Sequence, residues 1–509
     1  MNQDARPTSL PLRIIRAAAS TQMGLVLIGL IVLYLCAASI LRELAPQQLE
    51  SFTGRDADEV YRLWPLSALG LLLCLNILLA TLFRVPLDWA HAGAVCTHLG
   101  VIVLAIGAGT YVAWGVQGEC LTRLGKGGWS EIQYFYINDS YALGVAREDA
   151  SGQGGNREPE GGQTPLGRLA SARGEVKLDR PVAGGGDVAI TAAAFLAHAD
   201  FREEWLDDSP NELPAVALQL GQGDMSGRTV LSPYFADTTE FTGRGFAIYY
   251  RPGTSPDILR RIAQPTSAPA SQARLEMIYV LTGPDISPTL VLQRPDGTRW
   301  QHALTPGEGL ALPLSAQPLH LELVKLYTHA RRVYHATEAP RSDKEAQPAV
   351  LLELAAGAWR AKTWVPFSRF AEVQPPLRID VPGGKCLHVS FTRQGVRFPK
   401  PLYIVGQPAY ETYPGSVVPK DYRCDVRIGA GADAPRETIS LNHPIMDGQF
   451  QVSQNTWLPS GRRPMAIILG VSSRPGLITI WAGMAMIIIG LPVAFYLKPL
   501  MLRRRGKAG

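Results

Sequence analysis

The sequence predicts four transmembrane α-helices with a large, predominantly β extracytoplasmic domain between the third and the fourth. Three observations carry this prediction. Four nearly uncharged apolar runs have the length that a bilayer requires. The long interval between the last two contains no comparable run, and it is rich in strand-period patterning.

The chain has 509 residues, room for two or three domains of ordinary size. The apolar runs are Met23–Leu41, Trp64–Phe83, Ala94–Trp114 and Leu477–Leu497. Each holds roughly 20 residues, enough to cross a hydrocarbon core of about 30 Å. Residues 1–22 and 498–509 are left as tails, and residues 115–475 as the domain between spans three and four. The first run also has signal-peptide traits, since Arg13 and Arg16 precede it and Cys36-Ala-Ala-Ser39 is rich in small residues. It is longer than a typical signal h-region and further spans follow it directly, which favours a span.

Basic residues set the orientation. Arg6, Arg13 and Arg16 precede span one, and Lys498, Arg503, Arg504, Arg505 and Lys507 follow span four. The short link between spans two and three holds Arg84 with Asp88 nearby. The link between spans one and two carries Glu43, Glu50, Asp56, Asp58 and Glu59 against three arginines. By the positive-inside bias both termini and the short link are cytoplasmic, and residues 115–475 lie outside a cell (inner) membrane. The net charge of +5 belongs to the tails, where eight basic residues meet only Asp4 and the remainder of the chain is slightly acidic. Nothing in that distribution supports nucleic-acid binding.

Of six cysteines, Cys36, Cys74 and Cys96 fall in spans and Cys120, Cys386 and Cys424 in the outer block. There is no CxxC, which argues against a thioredoxin-like dithiol and a zinc knuckle, and no CxxCH, which argues against a c-type cytochrome. The outer cysteines leave open one disulfide with one thiol over, the pair undetermined.

In the outer block, Leu319–Leu323, Leu387–Thr392, Val426–Ile428 and Ile439–Leu441 alternate apolar with polar residues. The runs VAITA, AVALQL, FAIYY, MIYVL, TLVLQ and AVLLEL add strands. Helical periodicity is scarce, Ser255–Ala263 being its best case. A largely antiparallel sandwich or open barrel is expected, with surface loops at Gly152–Gln163 and Pro265–Gln272.

The block lacks HExxH, GxSxG and a Walker loop. GAGADA from Gly429 enters Pro435 and another strand rather than a helix, so it is not a dinucleotide turn. His320 and His388 fall on the polar faces of their strands and read as solvated surface. His329 and His335 flank Arg331 and Arg332, which reads as a solvated edge strand, an anion site being the alternative.

The run VCTHLGVIVLAIGAG (Val95–Gly109) holds a histidine inside an apolar span. His98 lies about four residues in, roughly 6 Å below the cytoplasmic boundary at 1.5 Å per residue. Gly93, Gly100 and Gly107 repeat every seven residues and form a smooth stripe suited to packing on this chain's own helices. His98 sits well round from that stripe, with Ile102, Ala105 and Gly109, on a side that needs a cover because lipid is a poor solvent for imidazole. Two readings are open: a histidine hydrogen-bonded to a neighbouring helix, and an axial ligand to haem iron. His91, at the cytoplasmic interface, needs no special account.

The chain resembles the ResB family, the large-domain membrane subunit of System II cytochrome c-type biogenesis. As an architecture the likeness covers nearly the whole chain. At residue level it rests on LCLNILLATLFR (Leu73–Arg84), THLGVIVLAIGAG (Thr97–Gly109) and a C-terminal run. That run comprises PKDYRCDVRI (Pro419–Ile428), ISLNHPIMDGQFQVSQNTW (Ile439–Trp457) and the Pro-Gly entry into the last span. About residues 151–414 carry no such likeness, and Gln454 is followed by Asn-Thr-Trp where Ser-Ser-Tyr is more usual.

The resemblance implies haem transport: haem b moves from the cytoplasm to the outer face and is presented for thioether attachment to an apocytochrome c bearing CxxCH. The family's third-span haem ligand falls on His98, as axial ligand to the iron. The tryptophan-rich WWD segment is absent here and belongs to a separate ResC/CcsA-type partner, so this chain is expected to be a non-autonomous subunit of a haem lyase complex. The resemblance also leaves room for a thiol-reducing partner protein. His443 lies in a family-like motif, but strand parity points it inward as a structural histidine. Two other classes stay open: a b-type haem electron-transfer subunit, and a membrane-anchored sensor or binding module with an outer β receptor domain.

Overall fold

The computed structural model describes residues 17–53, 60–61, 63–86, 88–125, 128–148, 162–167, 169, 174–223, 225–255, 275–314, 317–340, 343, 345–371, 373–415, 419–431, 433–460 and 463–497. The basic tail residues, Asp56, Asp58 and Glu59, nearly all of the Gly152–Gln163 loop, the expected Ser255–Ala263 helix beyond Ser255 and the Pro265–Gln272 loop lie outside them.

Five helices are described: α1 (Thr21–Leu44), α2 (Pro46–Thr53), α3 (Trp64–Phe83), α4 (Ala92–Trp114) and α5 (Leu477–Pro492), the last continuing in a π turn to Leu497. Four of them, counting α5 with its π turn, are long and apolar enough to cross a membrane. The sheet-rich region lies between α4 and α5. Helix α1 outruns its apolar window because the Ser20 hydroxyl accepts from Met23 N–H at one end and Arg42 and Glu43 extend the other. The short α2 was not expected from periodicity. Leu25, Leu33, Leu71, Ile106, Ile478 and Ile488 are exposed on the helices, an outward apolar surface that water disfavours and lipid accepts.

The chain divides into two compact units, residues 1–138 with 395–509, and residues 139–394. In the first unit, the glycine stripe packs as expected on this chain's own helix. Gly93, Gly100 and Gly107 of α4 meet Gly490, Gly483 and Gly476 at α5 in antiparallel order. A Cβ on Gly100 would lie 2.9 Å from the Gly483 carbonyl oxygen, and one on Gly490 2.8 Å from that of Gly93. Backbone meets backbone, so only glycine fits. Elsewhere Asn76 of α3 donates to the carbonyls of Ala18 and Ser20 at 2.5 and 3.1 Å, tying the start of α1 to α3.

Both helices of the glycine pair continue into strands. Val116–Gly125 follows α4 and runs antiparallel to Arg463–Ser473, which leads into α5, with Val116 opposite Ser473. Phe450–Ser460 pairs on the other side of Arg463–Ser473. Phe135, Phe398 and Phe450 stack edgewise in the core beneath these strands, with Val426, Ile467 and Leu469. The C-terminal motif runs therefore build this unit's sheet.

In the second unit, a five-stranded sheet (Arg299–Ala303, Ile286–Gln293, Glu276–Gly283, Phe246–Arg251, Glu240–Gly243) and a four-stranded sheet (Gly309–Leu312, Leu319–Tyr327, Ala215–Gln222, Met225–Leu231) share one core. Leu218 and Leu321 from one, with Ile248 and Val280 from the other, are fully or almost fully buried there. These two sheets pack as a sandwich, while the expectation of a sandwich or open barrel covered the whole block, whose largest sheet has 16 strands. A further core lies around Phe195, Val350 and Phe391, where Ala189–Asp207 pairs with Gln347–Ala356. Among the described strands, pairing is antiparallel except that Phe246–Arg251 runs parallel to Glu276–Gly283 and Phe367–Ser368 runs parallel to Phe391–Thr392; an isolated parallel bridge also joins Leu213 and His329.

Candidate functional site

Helix α4 turns its glycines to α5 and His98 to α3. Thr81, near the end of α3, is buried, and its Oγ1 lies 2.8 Å from His98 Nδ1. The same hydroxyl donates to the Ile77 carbonyl four residues back, at 2.7 Å. A hydroxyl has one proton to give, so with that proton on Ile77 the Thr81 oxygen can only accept from His98. In a neutral ring this arrangement puts the proton on Nδ1 and leaves Nε2 its lone pair, whereas a hydroxyl donating to Nδ1 would fit the same 2.8 Å contact with the opposite tautomer. The first of these is the protonation form that binds a metal through Nε2, with the orienting hydrogen bond on the opposite nitrogen.

Of the two readings of His98, the hydrogen bond to a neighbouring helix is present in the structure. Part of the cover that the His98 side needs comes from this chain's own α3, and the residue is half-buried. Ile102 and Ala105 are only half-buried and Gly109 is exposed, with nothing within 4 Å of where its Cβ would sit, so the outward end of that side stays open. His91 is held by Asp88, whose carboxylate accepts from the His91 backbone N–H and meets Nδ1 at 2.7 Å, a local cap before α4.

No protein-family model matches the chain, and no curated protein matches it.

His320 is exposed as expected. Arg331 pairs with Asp208, Arg332 with Glu203 and Asp237, and His335 with Glu204. Both arginines already face carboxylates, which counts against the anion-site alternative. His443 is exposed in a turn where Ser440 and His443 exchange backbone hydrogen bonds, so strand parity misplaced it. Gly429, at φ 109°, opens a turn between antiparallel strands, in keeping with the rejection of a dinucleotide motif. Cys386 and Cys424 carry free thiols, so no pair among the outer cysteines is joined.

His388 is not solvated surface. It is half-buried, and its Nε2 lies 2.7 Å from Glu148 Oε2 and 3.6 Å from Cys386 Sγ. The thiol donates to the same Glu148 oxygen at 3.2 Å. Cys386 and His388 alternate along one strand and so share a face, while Glu148 ends another strand. The hydrogen bond from His388 draws the Glu148 carboxyl below its ordinary value, and burial pushes the Cys386 thiol up to about 12.

Proposed function

We propose that this chain is a multi-pass membrane protein that carries haem b for cytochrome c maturation, with His98 as axial ligand and a WWD-bearing ResC/CcsA-type subunit as partner. Both termini are cytoplasmic in this reading, and the sheet-rich region lies outside. The observation that carries it is the hydrogen bond between Thr81 and His98 Nδ1 among apolar helices, which orients the ring and leaves its other nitrogen, Nε2, without a bond to Thr81. The residues fit one axial position on the iron, the second falling to the partner.

Haem is the cargo: its iron takes the imidazole, and its vinyl groups later meet the thiols of a CxxCH segment. This chain's own part is to orient the ring and hold Nε2 neutral. The open end of the α4 side, from Ile102 to Gly109, is where a partner helix fits. The resemblance to ResB at Leu73–Arg84 spans Ile77 and Thr81, and that at Thr97–Gly109 spans His98. A b-type electron-transfer subunit needs a second axial histidine, and none of the other three apolar helices contains one.

The test is co-expression with a WWD-bearing subunit in a host lacking its own maturation system. Cytochrome c should form with the pair and not with this chain alone. His98→Ala should leave the protein inserted while lowering co-purified haem and stopping maturation, and imidazole should partly restore His98→Gly. Full haem content and maturation in the alanine variant would overturn the reading.

A further inference from the structure

We propose that Glu148, Cys386 and His388 form a binding site for a divalent borderline transition metal of the zinc class. The site is independent of His98 and of the haem reading. Three atoms of three donor types converge on one point: a carboxylate oxygen, a thiol sulfur and an imidazole nitrogen, all within 4.8 Å of one another. At zinc the Zn–S, Zn–N and Zn–O bonds are about 2.3, 2.0 and 2.1 Å, which puts neighbouring ligand atoms of a tetrahedron roughly 3.3–3.6 Å apart. The observed Sγ–Nε2 and Sγ–Oε2 separations of 3.6 and 3.2 Å lie close to that. The Nε2–Oε2 edge, 2.7 Å, is a hydrogen bond and opens by roughly half an ångström once the proton between the two atoms is gone.

Charge and support fit as well. Thiolate and carboxylate together balance a dication. Arg378 stands 3.7 Å from Glu148 Oε2, but both its Nε and an Nη already donate to Asp380 Oδ1, so the nearby cation is neutralised. Strand pairing sets Arg378 opposite His388 and Asp380 opposite Cys386, which fixes this second layer in register with the donors. Asn211 pins the intervening turn, donating to the Val381 and Lys385 carbonyls and accepting from Gly384 N–H.

On binding, the thiol gives its proton to solvent and forms the metal–sulfur bond, and the proton shared between His388 Nε2 and Glu148 leaves that nitrogen, so that the neutral ring binds through Nε2 with its one proton on Nδ1. Glu148 and Cys386 also line a cavity of about 110 Å³. Water occupies about 30 Å³ in the liquid, so the fourth coordination position has room for one. Three protein ligands and an open position make an exchangeable site rather than a closed structural one.

The plain alternative is a His388–Glu148 ion pair beside a bystander thiol, and cobalt separates the two. Full-length protein in detergent, stripped with chelator, is titrated with Co²⁺. The expected result is one cobalt per chain, with a thiolate-to-metal charge-transfer band, the d–d absorption of a tetrahedral ion, and displacement by Zn²⁺. Cys386→Ser should abolish the charge-transfer band, and His388→Gln should weaken binding by about tenfold or more. Both should keep the wild-type circular dichroism. Wild-type protein that binds no cobalt, or binds it without the thiolate band, overturns the proposal, as does a band unchanged in Cys386→Ser. Should the serine variant fail to fold, His388→Gln at its half-buried position decides alone, and unchanged affinity there overturns the proposal.

Discussion

Thr81 Oγ1 and His98 Nδ1, 17 residues apart in sequence, are joined by a 2.8 Å hydrogen bond between two apolar helices. Thr81→Val keeps the shape and removes the acceptor. The ring proton then has no partner, and the ring is free to change tautomer and occupy Nε2. Haem recovered per mole of complex, read from the pyridine haemochrome spectrum, should fall well below wild type, and the helix pair should lose about 0.5–2 kcal/mol. Thr81→Ser should retain haem. Equal haem in Thr81→Val and wild type would show that the ring needs no orienting partner.

Gly100 and Gly109 lie on one helix and predict opposite outcomes. An alanine methyl at Gly100 meets the Gly483 carbonyl oxygen at 2.9 Å, backbone that cannot swing aside, so α4 and α5 must separate. The loss should be about 1–3 kcal/mol. The methyl at Gly109 meets nothing within 4 Å, and that change should be neutral or slightly stabilising through helix propensity. Thermal melting in detergent checks both, and equal behaviour of the two variants would refute the glycine pairing.

Asp208 accepts from Arg331 through both carboxylate oxygens, at 2.7 and 2.6 Å. The hydrogen bond to Arg331 holds its carboxyl below the ordinary 3.8. A folded-state value below the unfolded one means the pair stabilises fully above about pH 3.8 and loses that contribution as pH falls through the lower folded value. Because Asp208 is half exposed, the effect should stay under about 1 kcal/mol. Denaturation at pH 6 and pH 3 should show a smaller drop in Asp208→Asn than in wild type. A larger drop would reverse the assigned sign.

The charge bias predicts compartments directly. Reporters fused after Ser130 and after Arg505 should give opposite readings, outside for the first and cytoplasmic for the second. The same reading from both would contradict the proposed topology.

The helices and most strands were legible because solvent writes their periods into the chain. Trp64–Phe83 is uncharged and mostly apolar and Leu319–Leu323 alternates, and both form as patterned. The glycine heptad named a packing face, although its mate lies some 380 residues away. The Glu148–Cys386–His388 cluster was not legible as a whole. Cys386 and His388, two apart on a strand, signal a shared face, but Glu148 lies 238 residues from Cys386 and only tertiary pairing brings it there. His443 misled because strand parity was carried into a turn. The parallel pairing of Phe246–Arg251 with Glu276–Gly283 left no mark in the alternation, which is the same for either direction.

The mating of α4 with α5 also sets a timetable for synthesis. When Gly107 is added to the growing chain its counterpart Gly476 is still 369 residues away from being made. At roughly 5–20 residues per second the nascent helix waits about 20–75 s, its glycine groove unfilled, while the intervening sheets are translated. During that interval Thr81 is already available to His98, so the ring can be oriented before the pair closes. The final helix then acts as a latch, and a ribosome stalled before it leaves a chain that can hold the imidazole but cannot shut.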